Sequence, residues 1–352
     1  CACQASLAPG VARGVVQPLV LLGLTVVALR AGAGVLGVCL ALLAGMALTA
    51  ALAAVFYGRL FPLRPTLEAA LRGPMDEGML RFAGPLVSAG VLTAVLGYID
   101  MLLLGLLGVR AAEVGFYAMC LLYAQTLSQV RSVFDPSVQA LIPPLYERGD
   151  RAALRSSLAR QTRWSMALAA PVFVLFAGFS DVVLRVFGRE FSHGAAALAI
   201  LCVGQVVNAL ALTAWLLPGT GHTRVTARLS VVWATIETVA LCVLVPRYGI
   251  NGAALAAALG LAGLQISQSF AAWKITGVHG YSVALVKTAL VAGAALLVGL
   301  AALALAPGGL VARFGVAITL AALVYLGLSF VTAHEEDKGT ARALVRRFSR
   351  RG

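Results

Sequence analysis

Residues 195–217 read AAALAILCVGQVVNALALTAWLL, a run without one acidic or basic side chain and with polarity confined to Gln205, Asn208 and Thr213. Coiled as an α-helix it is about 34 Å long at 1.5 Å per residue, enough to cross the roughly 30 Å hydrocarbon core of a bilayer. It is far too long and too continuously apolar for a buried strand. In water such a helix would expose apolar surface all round; in lipid its backbone hydrogen bonds are satisfied internally and its side chains match the solvent.

The rest of the 352-residue chain repeats the pattern. Nine more apolar runs, at 11–29, 34–56, 82–107, 114–141, 164–187, 229–245, 249–273, 281–306 and 310–331, give about ten spans and an all-α polytopic membrane protein. Composition agrees, with 61% hydrophobic and only 12% charged residues, against the about 25% charged that a soluble domain carries. A soluble enzyme, a disordered chain and a nucleic-acid-binding domain are excluded. Between the runs stand breakers: Pro62, Pro65 and Pro74, then Pro143-Pro144 closing the fourth helix, Pro218-Gly219 the sixth, and Pro246 with Gly249 parting the seventh from the eighth. Pro18 interrupts the first run.

The net charge of +13 follows topology. Twenty Lys and Arg fall in or next to one set of alternating connections and ends, six in or next to the other, and Arg131 alone lies deep inside a run. By the positive-inside bias both ends of the chain are cytoplasmic. No connection exceeds about 25 residues, so there is no room for a nucleotide-binding domain, and no phosphate-cradling glycine motif follows a strand. Catalysis and cofactors are not expected. Cys39, Cys120, Cys202 and Cys242 sit singly in apolar runs as small hydrophobes, Cys1 and Cys3 are too few for a zinc site, and the four histidines share no ligand spacing.

The connections carry a more specific pattern. Glu113-Val114-Gly115-Phe116-Tyr117-Ala118 opens the fourth span, and Pro143-Pro144-Leu145-Tyr146-Glu147-Arg148-Gly149-Asp150 follows it. Val186-Phe187-Gly188-Arg189-Glu190-Phe191, Leu217-Pro218-Gly219-Thr220-Gly221-His222-Thr223-Arg224 and Pro246-Arg247-Tyr248-Gly249-Ile250-Asn251-Gly252-Ala253-Ala254 come next in order. In this order and spacing the chain resembles the Wzx-like polysaccharide flippases of the multidrug/oligosaccharidyl-lipid/polysaccharide exporter superfamily. The resemblance implies the C-terminal part of a 14-helix, two-lobe flippase lacking about four N-terminal helices. On that alignment 1–60 ends an incomplete first lobe, 61–81 is a cytoplasmic linker, 82–274 is a six-helix lobe, 281–332 is an extra helix pair and 333–352 is a basic cytoplasmic tail.

The implied function is translocation, by alternating access, of a lipid-diphosphate-linked oligosaccharide or polysaccharide repeat unit across a bacterial inner membrane. A peptidoglycan-precursor (lipid II) flippase, a drug/cation antiporter and a non-transporting membrane subunit of a polysaccharide synthase remain as alternatives. The partners expected are the lipid-linked oligosaccharide, anionic membrane lipids and synthase or polymerase subunits; nucleic acid and metals are not.

Ionisable groups inside hydrocarbon cost about 2.5–3.5 kcal/mol each on insertion scales and mark functional positions. Arg131 and Asp135, four residues apart, share a helix face with Gln125 and Gln129. With Asn208 they are the candidate site for a diphosphate head group and its sugars. The competing reading is a self-neutralising Arg131–Asp135 pair, with Asp181–Arg185 as a second such pair. Glu237 and Asp100 are the candidate binders of a coupling proton or sodium ion, Glu237 lying about 12 Å from the cytoplasmic start of a span beginning at 229. Gln205 and Asn208 stand at a depth where they could line a cavity with Glu237. Ser128 and Ser132 extend the polar face as either interhelical bonds or sugar contacts. Arg148, Arg151, Arg155, Arg160 and Arg163 form a basic cluster on a short cytoplasmic connection, read either as contact with anionic lipid or as a mouth concentrating an anionic substrate.

Overall fold

The computed structural model describes residues 17–32, 34–60, 84, 87, 90–91, 97–281, 283–307 and 309–332. The linker 61–81, the tail 333–352 and most of the first half of the third run lie outside the described residues. Every regular element among the described residues is helical. In chain order these are α1 (Gln17–Arg30), α2 (Gly34–Leu60), α3 (Gly97–Leu106), α4 (Ala111–Glu147), α5 (Arg151–Phe173), α6 (Ser180–Arg185) and α7 (Ala195–Leu210). They continue with α8 (Leu216–Gly219), α9 (Thr223–Thr276), α10 (Val283–Leu305) and α11 (Leu310–Thr332). A π-helical turn, Val174–Gly178, joins α5 to α6; 3₁₀ turns cover Arg189–Gly194 and Ala211–Trp215.

Four stretches, Arg189–Gly219, Thr223–Thr276, Leu285–Leu305 and Ala312–Ser329, are long and apolar enough to cross a membrane, and Leu36–Leu48 and Gly97–Leu106 are shorter apolar helices. Large apolar side chains lie bare along them, Leu106 at 80% and Leu305 at 83% exposure, as lipid-facing positions require. This is a multi-pass helical membrane protein.

Two compact units divide the chain, Cys1–Leu80 and Arg81–Gly352. In the first, α1 lies along α2 with Leu21 against Gly45. The second has three cores. One gathers Leu104, Tyr117, Leu127, Leu184, Leu198 and Leu241 from α3, α4, α6, α7 and α9. Another packs α5, its π turn and α6 against α10 and α11 through Val174, Phe179, Val291, Ala295, Ala317 and Ala321. The third, with Val138, Ile142, Leu154, Leu158, Leu216 and Val278, ties the end of α4 to the start of α5, to α8 and to the end of α9.

The 54-residue α9 is two helices joined at Gly249, whose φ of 54° and ψ of −133° are open to glycine and costly for any other residue. The arms are antiparallel: Gly252 faces the Leu244 carbonyl, Gly260 faces Glu237 and Gly263 faces Trp233. Small residues let the backbones approach, which is how helices associate in lipid. Gly204 of α7 meets Ala258 in the same way.

Three expectations need correction. Pro143 and Pro144 do not end the fourth helix; α4 runs through Pro136, Pro143 and Pro144 to Glu147. It stops where Gly149 turns left-handed at φ 70°, and the N–H groups of Arg148, Gly149 and Asp150 take up the last carbonyls. Second, Arg151, Arg155, Arg160 and Arg163 sit on helix α5, not on a connection; Asp150 caps that helix by accepting from the Ala153 N–H at 2.9 Å. Third, α9 starts at Thr223, so Glu237 lies about 21 Å along it, near the middle of its arm.

Proline also explains one tertiary bond. Pro171 cannot donate to the carbonyl of Ala167, which would be stranded in hydrocarbon. The Tyr325 hydroxyl of α11 donates to that carbonyl at 2.8 Å.

Candidate functional site

At residue 211 the helix α7 tightens into its 3₁₀ turn, and the change of ladder frees carbonyl acceptors there. Ser165 Oγ donates to the Ala209 carbonyl at 2.7 Å. Arg131 Nη1 donates to the Asn208 carbonyl at 3.2 Å and to Asn208 Oδ1 at 2.5 Å. Arg131 Nε also bonds Asp135 Oδ1 at 3.3 Å, with only 11% of the arginine side chain exposed. Asp135 in turn accepts from Trp215 Nε1 at 2.6 Å, and the guanidinium carbon stands 5.8 Å from the Trp215 ring centre. The arginine is thus bound to α4, α7 and the 3₁₀ turn at once. Nη2 alone of its nitrogens makes no hydrogen bond among the described residues.

A second group lies one step along α7. Asp100, Gln125, Gln205 and Glu237, from α3, α4, α7 and α9, line a cavity of about 170 Å³ with Trp233 and Gly260. Asp100 is 2% and Glu237 7% exposed. Asp100 is anchored: its Oδ2 accepts from the Tyr117 hydroxyl at 2.5 Å and its Oδ1 from the Met101 N–H at 2.8 Å. Glu237 takes no hydrogen bond or ion pair among the described residues and sits against Gly260, where a methyl group would collide with its carboxylate. Trp233, one turn earlier on α9, lies over Gly263 and donates to Ser267 Oγ at 2.9 Å.

Gln205 connects the two groups. It lines the cavity, and its Oε1 accepts from Asn208 Nδ2 at 3.3 Å. A run of polar side chains therefore passes from Asp135 and Arg131 through Asn208 and Gln205 to the two buried carboxyls. Chemically it offers an arginine held in a cage of acceptors, and beside it a small, mostly apolar space holding two amide side chains, one fixed carboxyl and one unbonded carboxyl.

The structure thus brings together Arg131, Asp135 and Asn208, and separately Glu237, Asp100 and Gln125. Gln129 is exposed and joins neither. The hydroxyls of Ser128 and Ser132 bond carbonyls of their own helix, Gln125 O at 2.6 Å and Gln129 O at 2.7 Å. A hydroxyl in a helix interior reaches the preceding turn with no partner helix required. Asp181 and Arg185 form an exposed pair at 2.9 Å. Arg148, Arg151, Arg155 and Arg160 are exposed, and Arg163 is half-buried. Sequence reasoning missed Tyr117, Trp215, Trp233 and Gly260. Each reads as an ordinary apolar or small residue, and only the helix pairings give it a polar partner.

Residues 12–195, just over half of the chain, match the family described as polysaccharide biosynthesis protein. The chain belongs to that family. An uncharacterised membrane protein of Methanocaldococcus jannaschii is 25% identical over 187 residues, 47% of this chain and 35% of that one. The chain thus spans about a third of the length of this curated relative. Among solved structures, the lipid II flippase MurJ in an inward-closed conformation aligns with 93% of this chain and 67% of its own, at a TM-score of 0.60 and 14% identity. The fold of this chain is similar to that of MurJ, and at this identity the likeness concerns the fold alone.

Proposed function

We propose that this chain is the membrane component that flips a lipid-diphosphate-linked oligosaccharide or polysaccharide repeat unit between leaflets, in a bacterial inner membrane with both ends cytoplasmic. The observation that carries the proposal is the polar run from Arg131 through Asn208 and Gln205 to the cavity of Asp100 and Glu237. A buried arginine and a buried pair of carboxyls are costly inside a membrane unless they serve a substrate and an ion. Membership of a polysaccharide biosynthesis family and a flippase fold support the same reading.

In this scheme Arg131 meets the diphosphate with the guanidinium edge its cage leaves open, while Asp135 and Asn208 hold it in place. Glu237 takes up and releases a proton or a sodium ion beside the fixed Asp100. The cavity of about 170 Å³ suits an ion, being smaller than the roughly 300–1,000 Å³ of sites for drug-sized ligands. Peptidoglycan precursor as the cargo is a second reading, favoured by the fold shared with MurJ.

The test reconstitutes the chain in liposomes with fluorescent lipid-diphosphate glycans, one of them lipid II, and follows exposure of the fluorophore to an impermeant quencher. Translocation of at least one glycan is expected, with substrate binding lost in Arg131→Ala and gradient dependence lost in Glu237→Ala. No translocation of any glycan under either a proton or a sodium gradient would overturn the proposal.

A further inference from the structure

Three of the five turns that carry the sequence resemblance meet at one end of the second unit. The α3–α4 turn brings Arg110, Glu113 and Phe116, the 3₁₀ turn before α7 brings His193, and the glycine turn of α9 brings Tyr248 and Gly249. They enclose a pocket of about 350 Å³ that shares no residue with the Arg131 or Glu237 groups. The 37 residues of α4, about 55 Å, separate it from the basic end at Arg148. Its volume falls within the range of small-molecule sites, about 300–1,000 Å³.

The lining is specific in kind. Arg110 grips one oxygen of Glu113 through both Nε and Nη2. This leaves Arg110 Nη1 as a donor beside Glu113 Oε2 as an acceptor, neither bonded among the described residues, in a pair of zero net charge. The His193 ring stacks on Phe116 at 6.4 Å, and its nitrogens make no hydrogen bond among the described residues. Tyr248 is 61% exposed, a large ring left bare at an end of the bundle. Beside it Gly249 carries no side chain, and a Cβ built there would have no atom within 4 Å.

A simple anion would face the Glu113 carboxylate, and a hydrocarbon would strand the ionic pair. A neutral sugar fits both features: its C–H face stacks on an aromatic ring, and adjacent hydroxyls donate to a carboxylate while accepting from a guanidinium or an imidazole. We infer that the pocket is a saccharide-binding site, taking a neutral glycan unit at the end of the bundle opposite the basic start of α5. The inference rests on the transport reading to the extent that this glycan is the cargo arriving on the outer side. The saccharide chemistry itself rests on the pocket.

Saturation-transfer NMR on the full chain in detergent tests it with free methyl glycosides of glucose, galactose and N-acetylglucosamine, and with glucuronate and methyl phosphate beside them. Transfer to at least one neutral glycoside is expected, falling roughly three- to tenfold in Tyr248→Ala, the value of one aromatic contact, and retained in Tyr248→Phe. Glu113→Gln should weaken it while leaving the fold intact, since glutamine keeps the shape of the half-buried Glu113 and its partner Arg110 is exposed. Transfer only to glucuronate or methyl phosphate, transfer indifferent to Tyr248→Ala, or none at all overturns the site. The two proposals fail separately. A chain that flips a glycan but shows no transfer loses the saccharide site alone; Tyr248-dependent transfer in a chain that flips nothing removes the transport reading alone.

Discussion

Gly260→Ala perturbs the candidate ion site without altering any group that could bind an ion. The added Cβ would meet Glu237 Oε2 most closely, then Cδ at 2.7 Å and Cβ at 2.9 Å. Swinging the carboxylate aside relieves the first two contacts, but the third is fixed to the backbone of the facing arm. Some separation of the arms of α9 is therefore forced, and overpacking of this kind costs about 1–3 kcal/mol. In Glu237→Gly all three contacts vanish, the fixed 2.9 Å one to Cβ included. There the same Gly260→Ala should cost under about 1 kcal/mol, a coupling of about 1–2 kcal/mol between the two positions. Equilibrium unfolding of the four proteins of this cycle in mixed detergent measures it. Gly260→Ala alone should also impair gradient-driven translocation, because Glu237 is displaced from Asp100 and Gln205. Additivity within about 0.5 kcal/mol would refute the argument that Gly260 seats Glu237.

Other outcomes follow from the same geometry. Arg131→Ala leaves Asp135 as a part-buried charge and the Asn208 carbonyl without its donor, and should destabilise by about 3–5 kcal/mol; adding Asp135→Asn should recover a measurable part, read by the same unfolding assay. Tyr325→Phe strands the Ala167 carbonyl that Pro171 cannot serve, for about 0.6–1.7 kcal/mol, and Pro171→Ala should erase that cost by restoring the ladder bond. Tyr117→Phe removes the side-chain donor to Asp100, for about 1–3 kcal/mol, with a change in the ion dependence of translocation that a merely structural bond would not give.

Fold class was legible because hydrocarbon imposes one rule on every span, and runs such as 195–217 show it without reference to anything else. Span ends were less so. Pro143 and Pro144 read as a stop because proline breaks the ladder, yet within the last turns of α4 the carbonyls they free lie close to the helix end, and Gly149 was the effective terminator. The arginines of α5 were placed in a connection because hydropathy marks where a helix enters lipid, which is not where it begins. Of the candidate site, Arg131, Asp135, Asn208, Asp100 and Glu237 stood out because charge and amide groups are rare at such depth. Their grouping did not, since it depends on which helices pair. Trp215 as the donor to Asp135 and Tyr117 as the donor to Asp100 are separated from their partners by 80 and 17 residues, and nothing local announces either.

The turn at Gly249 leaves the two arms of α9 no slack. One residue inserted there would rotate the second arm by about 100° and advance it about 1.5 Å. Gly260 and Gly263 would then leave Glu237 and Trp233 in the same step, while no side chain at any of those four positions had changed. The spacing from Trp233 to Gly263 behaves as a fixed length: substitutions within it can be absorbed one at a time, but a change in its residue count cannot.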